Sequence, residues 1–324
     1  MREDNNMKTA VKKINPLILR RRAQGAAVSL VRALFLLGLC YLFLFPIFYL
    51  LLTAFATPNS MINPNVVWIP GEFTLDNVKA ALERLEFSDS ALISLKNTIL
   101  GTAASLVSCA LIGYGFARYN FAEKGVMWML LLLTIIVPPQ TMLITQFLQY
   151  RSFDFGGILS LFGVEGLNLL NSSWVFFLPA LFGCGLRNGL FIFIFRQFFL
   201  GLPKDLEEAA WVDGCNPLMT FIKIIIPSAG PGILTVTLFS FVWHWNDFYY
   251  SDMLYNEKLK PLIPMMETAK TKLQFDLQVA GDTALDSRGI LAAAGLMTII
   301  VPLVLYLFLQ RYFVESIDRT GIVG

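Results

Sequence analysis

The chain is short of the residue types that most enzyme and metal chemistry requires. It has one histidine, His244, and four cysteines, Cys40, Cys109, Cys184 and Cys215, none of them in a CxxC pair. A zinc site or a disulfide framework therefore has little to be built from. No GxxxxGK[ST] loop occurs, so the chain is not expected to hydrolyse nucleotide, and any ATP-driven step must be powered by another polypeptide. No paired carboxylates or histidines stand at catalytic spacing, which argues against a membrane enzyme. Charge is also scarce: 15% of residues are charged and the formal net charge is +2. That balance offers no basic surface for nucleic acid. What is abundant is apolar surface, at 56% of residues, with positive mean hydropathy. This is the composition of a membrane protein rather than of a soluble core.

The apolar residues fall into long runs. Residues 1–27 carry Lys8, Lys12, Lys13, Arg20, Arg21 and Arg22 and read as a cytoplasmic N-terminal tail under the positive-inside rule. The next segment ends in Ala54-Phe55-Ala56, which mimics a signal-peptidase site. Its apolar run of about 23 residues is too long for a signal peptide and suits a membrane span. Six spans are expected, at 28–55, 92–117, 125–148, 174–199, 229–250 and 289–310, within a membrane domain 28–312 and before a cytoplasmic tail 313–324. Pro46 and Pro302 lie inside the first and sixth, where a kink is expected. Asp76 is placed to cap a short helix over 77–86. In the second span Gly101, Ser105, Cys109, Gly113 and Ala117 recur every four residues. Small residues at that spacing serve close helix packing in lipid, and substrate contact is the other reading.

Pro138-Pro139 interrupts the third span, with Gln140, Thr141, Thr145 and Gln146 just beyond. Carbonyls freed by two prolines need partners, so the break either faces a wet pathway or is a structural kink. Arg187 lies about 20 Å along a continuous fourth helix from Trp174. It is a functional suspect, or an anchor that snorkels to the inner surface. Gln140, Arg187, Asn188 and Asn246 are the polar candidates for a substrate pathway. Lone His244 reads as hydrogen-bonded structure. The segment 251–288 reads as an external loop in which Lys258, Lys260, Lys270, Lys272 and Arg288 mix with acids.

Between the fourth and fifth spans lies a polar island, 200–228. Pro203 opens a helix, Glu207 and Glu208 sit near its positive end, and Gly214 suits a left-handed C-cap. Pro217 opens a second short helix and Pro227 closes it. The island is thus a helix–turn–helix on a membrane surface, where Ala209 and Ala210 allow another protein to approach closely.

This island resembles the EAA loop of ABC-importer permeases: Glu-Ala-Ala, three residues, Gly, nine residues, Ile, one residue, an aliphatic residue, then Pro. Here these are Glu208, Ala209, Ala210, Gly214, Ile224, Ile226 and Pro227, with Ile226 where leucine is usual. Phe73-Thr74-Leu75-Asp76-Asn77, Trp245-Asn246-Asp247-Phe248 and Pro261-Leu262-Ile263 resemble further motifs of the carbohydrate (maltose-type, MalG-like) permeases, and Gly321-Ile322-Val323-Gly324 resembles their tails. Val323 stands where that family has lysine, and nothing is carried over for 265–288.

The resemblance implies an all-α, MetI-like, type I ABC-importer permease fold with six transmembrane helices and both termini cytoplasmic, in a bacterial-type cytoplasmic (inner) membrane. It implies a second homologous permease, two ATP-binding subunits that hold ATP and Mg, and an extracytoplasmic solute-binding protein; this chain itself binds no cofactor. It also implies alternating access coupled through Glu208, Ala209, Ala210, Trp211, Asp213, Gly214, Cys215, Phe221, Ile224 and Pro227. In that scheme Glu208 holds the loop, Gly214 allows its turn, and Trp211, Cys215 and Phe221 make apolar contacts with the ATPase. A sugar or oligosaccharide is the expected solute; amino acids or phosphonate are the alternatives. An ion-coupled secondary transporter fits less well, because no repeat is evident and no Asp or Glu lies deep in a span.

Overall fold

The computed structural model describes residues 16–62, 69–163, 165–256, 259–280 and 285–320. Lys8, Lys12 and Lys13 of the N-terminal tail, Lys258, and the tail motif 321–324 lie outside the described residues. Among the described residues the chain is helical, with two isolated bridges, Ala56 to Phe73 and Phe153 to Leu167.

Helix α1, Pro16–Ala54, runs through Pro46, and its apolar stretch is uncovered by the rest of the chain. Only its end is held. Asn77 Nδ2 donates to the carbonyls of Ala54 (3.1 Å) and Ala56 (2.9 Å), fixing the turn to α2, Pro58–Ile62, and α3, Asp76–Arg84. Asp76 is the first helical residue rather than the cap; its N–H is received by Thr74 Oγ1 at 3.1 Å.

Helix α4, Phe87–Arg118, is the axis of the molecule. Its small-residue stripe is a packing surface. A Cβ on Gly113 would lie 2.7 Å from Phe195 Cβ and 3.2 Å from the Ile192 carbonyl, and one on Gly101 would lie 2.5 Å from the His244 ring. With no side chain at these points, two neighbouring helices close onto α4.

Helix α5, Lys124–Ile136, is followed by a 3-10 turn, Pro139–Met142, and α6, Leu143–Arg151. The two arms meet at 98° across Pro138-Pro139. After α7, Ile158–Leu161, the expected continuous fourth span is instead two helices, α8, Trp174–Leu181, and α9, Asn188–Gly201. The Gly183–Gly185 pair opens the chain between them, with Gly183 at φ 73°. Arg187 therefore sits at the head of α9, not along an unbroken helix.

The polar island forms α10, Asp205–Val212, α11, Pro217–Thr220, a π-turn, Phe221–Ile225, and α12, Ile226–Ser228. Helix α13, Gly230–Trp245, then turns away at 78°. The segment expected as an external loop contains α14, Tyr249–Leu254, and a 19-residue helix α15, Leu262–Ala280, before α16, Leu285–Thr320. Among the described residues, three helices are long and apolar enough to cross a bilayer, and five segments qualify if each bent pair counts as one span.

The core is divided along α4. Towards its C-terminal half, Cys109, Tyr114, Phe191, Phe195, Phe199, Phe221 and Ile225 form one cluster. At its other end, Leu262 N–H donates to Ser94 Oγ at 2.7 Å and Tyr255 OH to Asn97 Oδ1 at 3.0 Å. The segments after α14 and the polar island are thus fastened to opposite ends of one helix, about 36 Å apart between Ser94 and Arg118.

Candidate functional site

The polar island folds as its local chemistry dictates. Asp205, Glu207 and Glu208 occupy the first turn of α10, where the helix dipole favours carboxylates. The helix ends in a Schellman arrangement: Gly214 at φ 82°, Cys215 N–H to the Ala210 carbonyl at 2.9 Å, and Gly214 N–H to the Trp211 carbonyl at 3.0 Å. Asn216 Oδ1 accepts from Met219 N–H at 2.8 Å and Pro217 takes the first helical position, so α11 starts at once.

The two faces of this unit differ sharply. Inward, Glu207, Ala210 and Phe221 are buried. Glu207 Oε1 forms an ion pair with Arg118 Nε at 2.7 Å, with both side chains 6% exposed. Arg118 Nη2 also donates to the Leu202 carbonyl at 2.8 Å. Phe221 packs on Tyr114 and Phe199, with centroids 4.9 and 6.2 Å away. The C-terminal end of α4 is thereby latched to the island by one charge pair and one aromatic cluster. Outward, Trp211 is 49% and Val212 87% exposed, and Leu218 and Ile222 of the same island are exposed too. An apolar ridge of this kind, with Glu208 and Asp213 also exposed, has the character of an interaction surface.

Of the residues singled out in sequence, Glu208, Ala209, Trp211, Asp213, Gly214 and Pro227 are exposed, and Cys215 and Ile224 are half-buried. Ala210 and Phe221 face the chain's own core, so Phe221 fastens the island rather than presenting an apolar contact outward. Sequence reasoning missed Arg118 as a site residue and gave Glu207 no partner. Their pairing joins distant segments, and the only local signal was an arginine closing an apolar span.

A second feature lies between the two helix breaks. A cavity of about 610 Å³ is bordered by Pro138, Pro139, Gln146, Tyr250, Cys184 and Arg187, among others. Tyr250 OH donates to the Pro139 carbonyl at 3.1 Å, supplying a partner at the proline break. At the other break, Ser108 Oγ (2.6 Å) and Asn188 Nδ2 (3.2 Å) both donate to the Ala180 carbonyl. Asn188 Oδ1 accepts from Ser105 Oγ at 2.9 Å. Asn188 borders the cavity, but its side chain is engaged in holding the break. Arg187 is half-buried at φ 61°, and its guanidinium lies 5.6 Å from the Trp243 ring. Gln140 and Asn246 are exposed and do not border the cavity.

A bundle of broken apolar helices with an exposed apolar ridge at one end fits a membrane transport subunit. Residues 19–319 match the model of the binding-protein-dependent transport system inner membrane component family, and the chain belongs to that family. It is 27% identical over 287 residues to the polygalacturonan/rhamnogalacturonan transport system permease protein YtcP of Bacillus subtilis, covering 87% of this chain and 93% of that one. It is 30% identical over 259 residues to the alpha-glucoside transport system permease protein AglG of Rhizobium meliloti, covering 79% and 62%. Its fold is similar to a chain of a bacterial ABC transporter that imports the acidic polysaccharide alginate, with TM-score 0.69, 23% identity, and coverage of 90% of this chain and 98% of that one.

Proposed function

We propose that this chain is one permease subunit of an ATP-driven ABC importer in the cytoplasmic membrane, forming half of the pathway for a sugar or oligosaccharide. It crosses the membrane six times with both termini inside and pairs with a second permease. Two ATPase subunits hold ATP and Mg in the cytoplasm, and an extracytoplasmic binding protein delivers the solute. The chain itself is not an enzyme. Carbohydrate names among its relatives support the solute class.

The observation that carries this reading is the two-faced island: an exposed apolar ridge, backed by a buried charge pair to the end of α4. Closure of the ATPase pair moves the ridge, and the Arg118–Glu207 pair and the Phe221 cluster pass that movement to α4. Because α4 is gripped at its other end by the segment after α14, its displacement reaches the external face. Glu208 and Asp213 rim the contact and Gly214 fixes its turn.

ATP-dependent oligosaccharide uptake by the assembled importer in proteoliposomes tests this. Val212→Asp places a charge on the ridge away from the core and is expected to abolish uptake while the spans still assemble. Normal uptake by that variant, or uptake of the saccharide without ATP, overturns the reading.

A further inference from the structure

The cavity between the two helix breaks has a charge of one sign. Its border includes one guanidinium, that of Arg187, and no aspartate, glutamate or second cation. Among the described residues no carboxylate lies within ion-pair distance of Arg187, and its guanidinium lies 5.6 Å from the Trp243 ring. A half-buried cation left without an anion is costly unless something supplies one. The backbone holds it there on purpose: φ 61° is a left-handed conformation that a side-chain-bearing residue adopts at a cost of about 1–2 kcal/mol.

The other polar groups on the wall have a different need. Gln146 borders the cavity, and its Oε1 is buried with no hydrogen-bond partner, an acceptor that a hydroxyl meets once the amide turns towards the cavity. Tyr150 and Tyr250 add phenol rings beside the prolines. At about 610 Å³ the cavity falls in the range of roughly 300–1,000 Å³ usual for small-molecule sites.

We propose that this cavity is a subsite for an anionic sugar, a hexuronate unit of an oligosaccharide. Its carboxylate pairs with the Arg187 guanidinium and one of its hydroxyls donates to Gln146 Oε1. An anionic lipid headgroup shares the charge, and the lipid composition of the vesicles separates it from the saccharide. The inference rests on the importer reading above and names the substrate class of that same pathway.

The test is uptake by the complete importer, binding protein included, in proteoliposomes of neutral and of anionic lipid. The probes are a galacturonate oligomer and its carboxyl-reduced, neutral counterpart of equal length. The wild type is expected to take up the acidic oligomer preferentially. Arg187→Gln is expected to lower acidic uptake about ten- to hundredfold, the worth of a charge-assisted hydrogen bond, with Arg187→Lys restoring part of it and neutral uptake lowered far less than acidic. A second readout is independent of turnover. The acidic oligomer, and not the neutral one, is expected to protect Cys184 on the cavity wall from maleimide, as read by peptide mass.

Neutral uptake with no acidic preference, equal loss of both substrates in Arg187→Gln, or absent Cys184 protection overturns the subsite while leaving the importer intact. Dependence on anionic lipid alone assigns the cavity to a headgroup and also overturns it. Failure of both saccharides to enter with ATP present overturns the importer reading itself.

Discussion

Removing the carboxylate of Glu207 is the most informative single perturbation. In Glu207→Ala the Arg118 guanidinium loses its counter-charge at a site where both side chains are 6% exposed. Breaking a buried pair from one side costs about 3–5 kcal/mol. Arg118 closes α4 and can turn part of its length towards water, so the lower end applies. At about 1.4 kcal/mol per factor of ten, 3 kcal/mol raises the open population of the island roughly a hundredfold. Lys204 and Lys223 flank the buried face and serve as protease reporters. Trypsin cleavage there is expected to quicken by about two orders of magnitude, because cleavage tracks the open population when reclosing is fast. ATPase activity is expected to uncouple from uptake. Arg118→Met combined with Glu207→Leu removes both charges and fills the same space, a replacement that is often neutral or stabilising. It loses only the hydrogen bond to Leu202, worth about 1 kcal/mol. The double variant is expected to cleave within about tenfold of the wild type. A single variant as resistant as the wild type, or a double variant no better than the single, refutes the latch.

Other substitutions probe separate parts. In Gly214→Ala the added Cβ meets no neighbour within 4 Å, so its cost is the left-handed φ of 82°, about 1–2 kcal/mol; reduced uptake with unchanged thermal stability of the spans is the expected outcome, and Gly214→Asn is expected to be milder. Gly113→Val drives a side chain into the Ile192 carbonyl and Phe195, and loss of folded protein in detergent is expected at any temperature that the wild type survives. Asn188→Leu leaves the Ser105 hydroxyl without its acceptor and removes one donor to the Ala180 carbonyl, and a stability loss of about 1–3 kcal/mol is expected by thermal unfolding.

Much of this was legible before the fold was known, and the reasons differ by element. Local chemistry is sufficient where one residue fixes its own backbone. Gly214 adopts the left-handed cap, Pro217 starts α11, and Pro138-Pro139 breaks a helix. The break before α9 was missed because an apolar run with two glycines does not by itself open. It opens because Ser108 and Asn188, one from each side of the gap in sequence, take up the Ala180 carbonyl. The island's orientation was only half legible. Adjacent Glu207 and Glu208 are alike in composition, and which one turns inward depends on where Arg118 arrives from α4. Helix α15 falls in a segment whose mixed charges read as loop, although Pro264 lies in its first turn.

The most direct test of the central claim is a photocrosslink from position 211. A benzophenone amino acid replaces Trp211 in the importer co-expressed with its ATPase subunits, and inverted membrane vesicles are irradiated. A single adduct with the mass of permease plus ATPase is expected, formed in inverted vesicles and suppressed by Val212→Asp. No adduct with the ATPase, or labelling of position 211 by impermeant reagents from the external face, contradicts the claim that this ridge is the surface the motor grips.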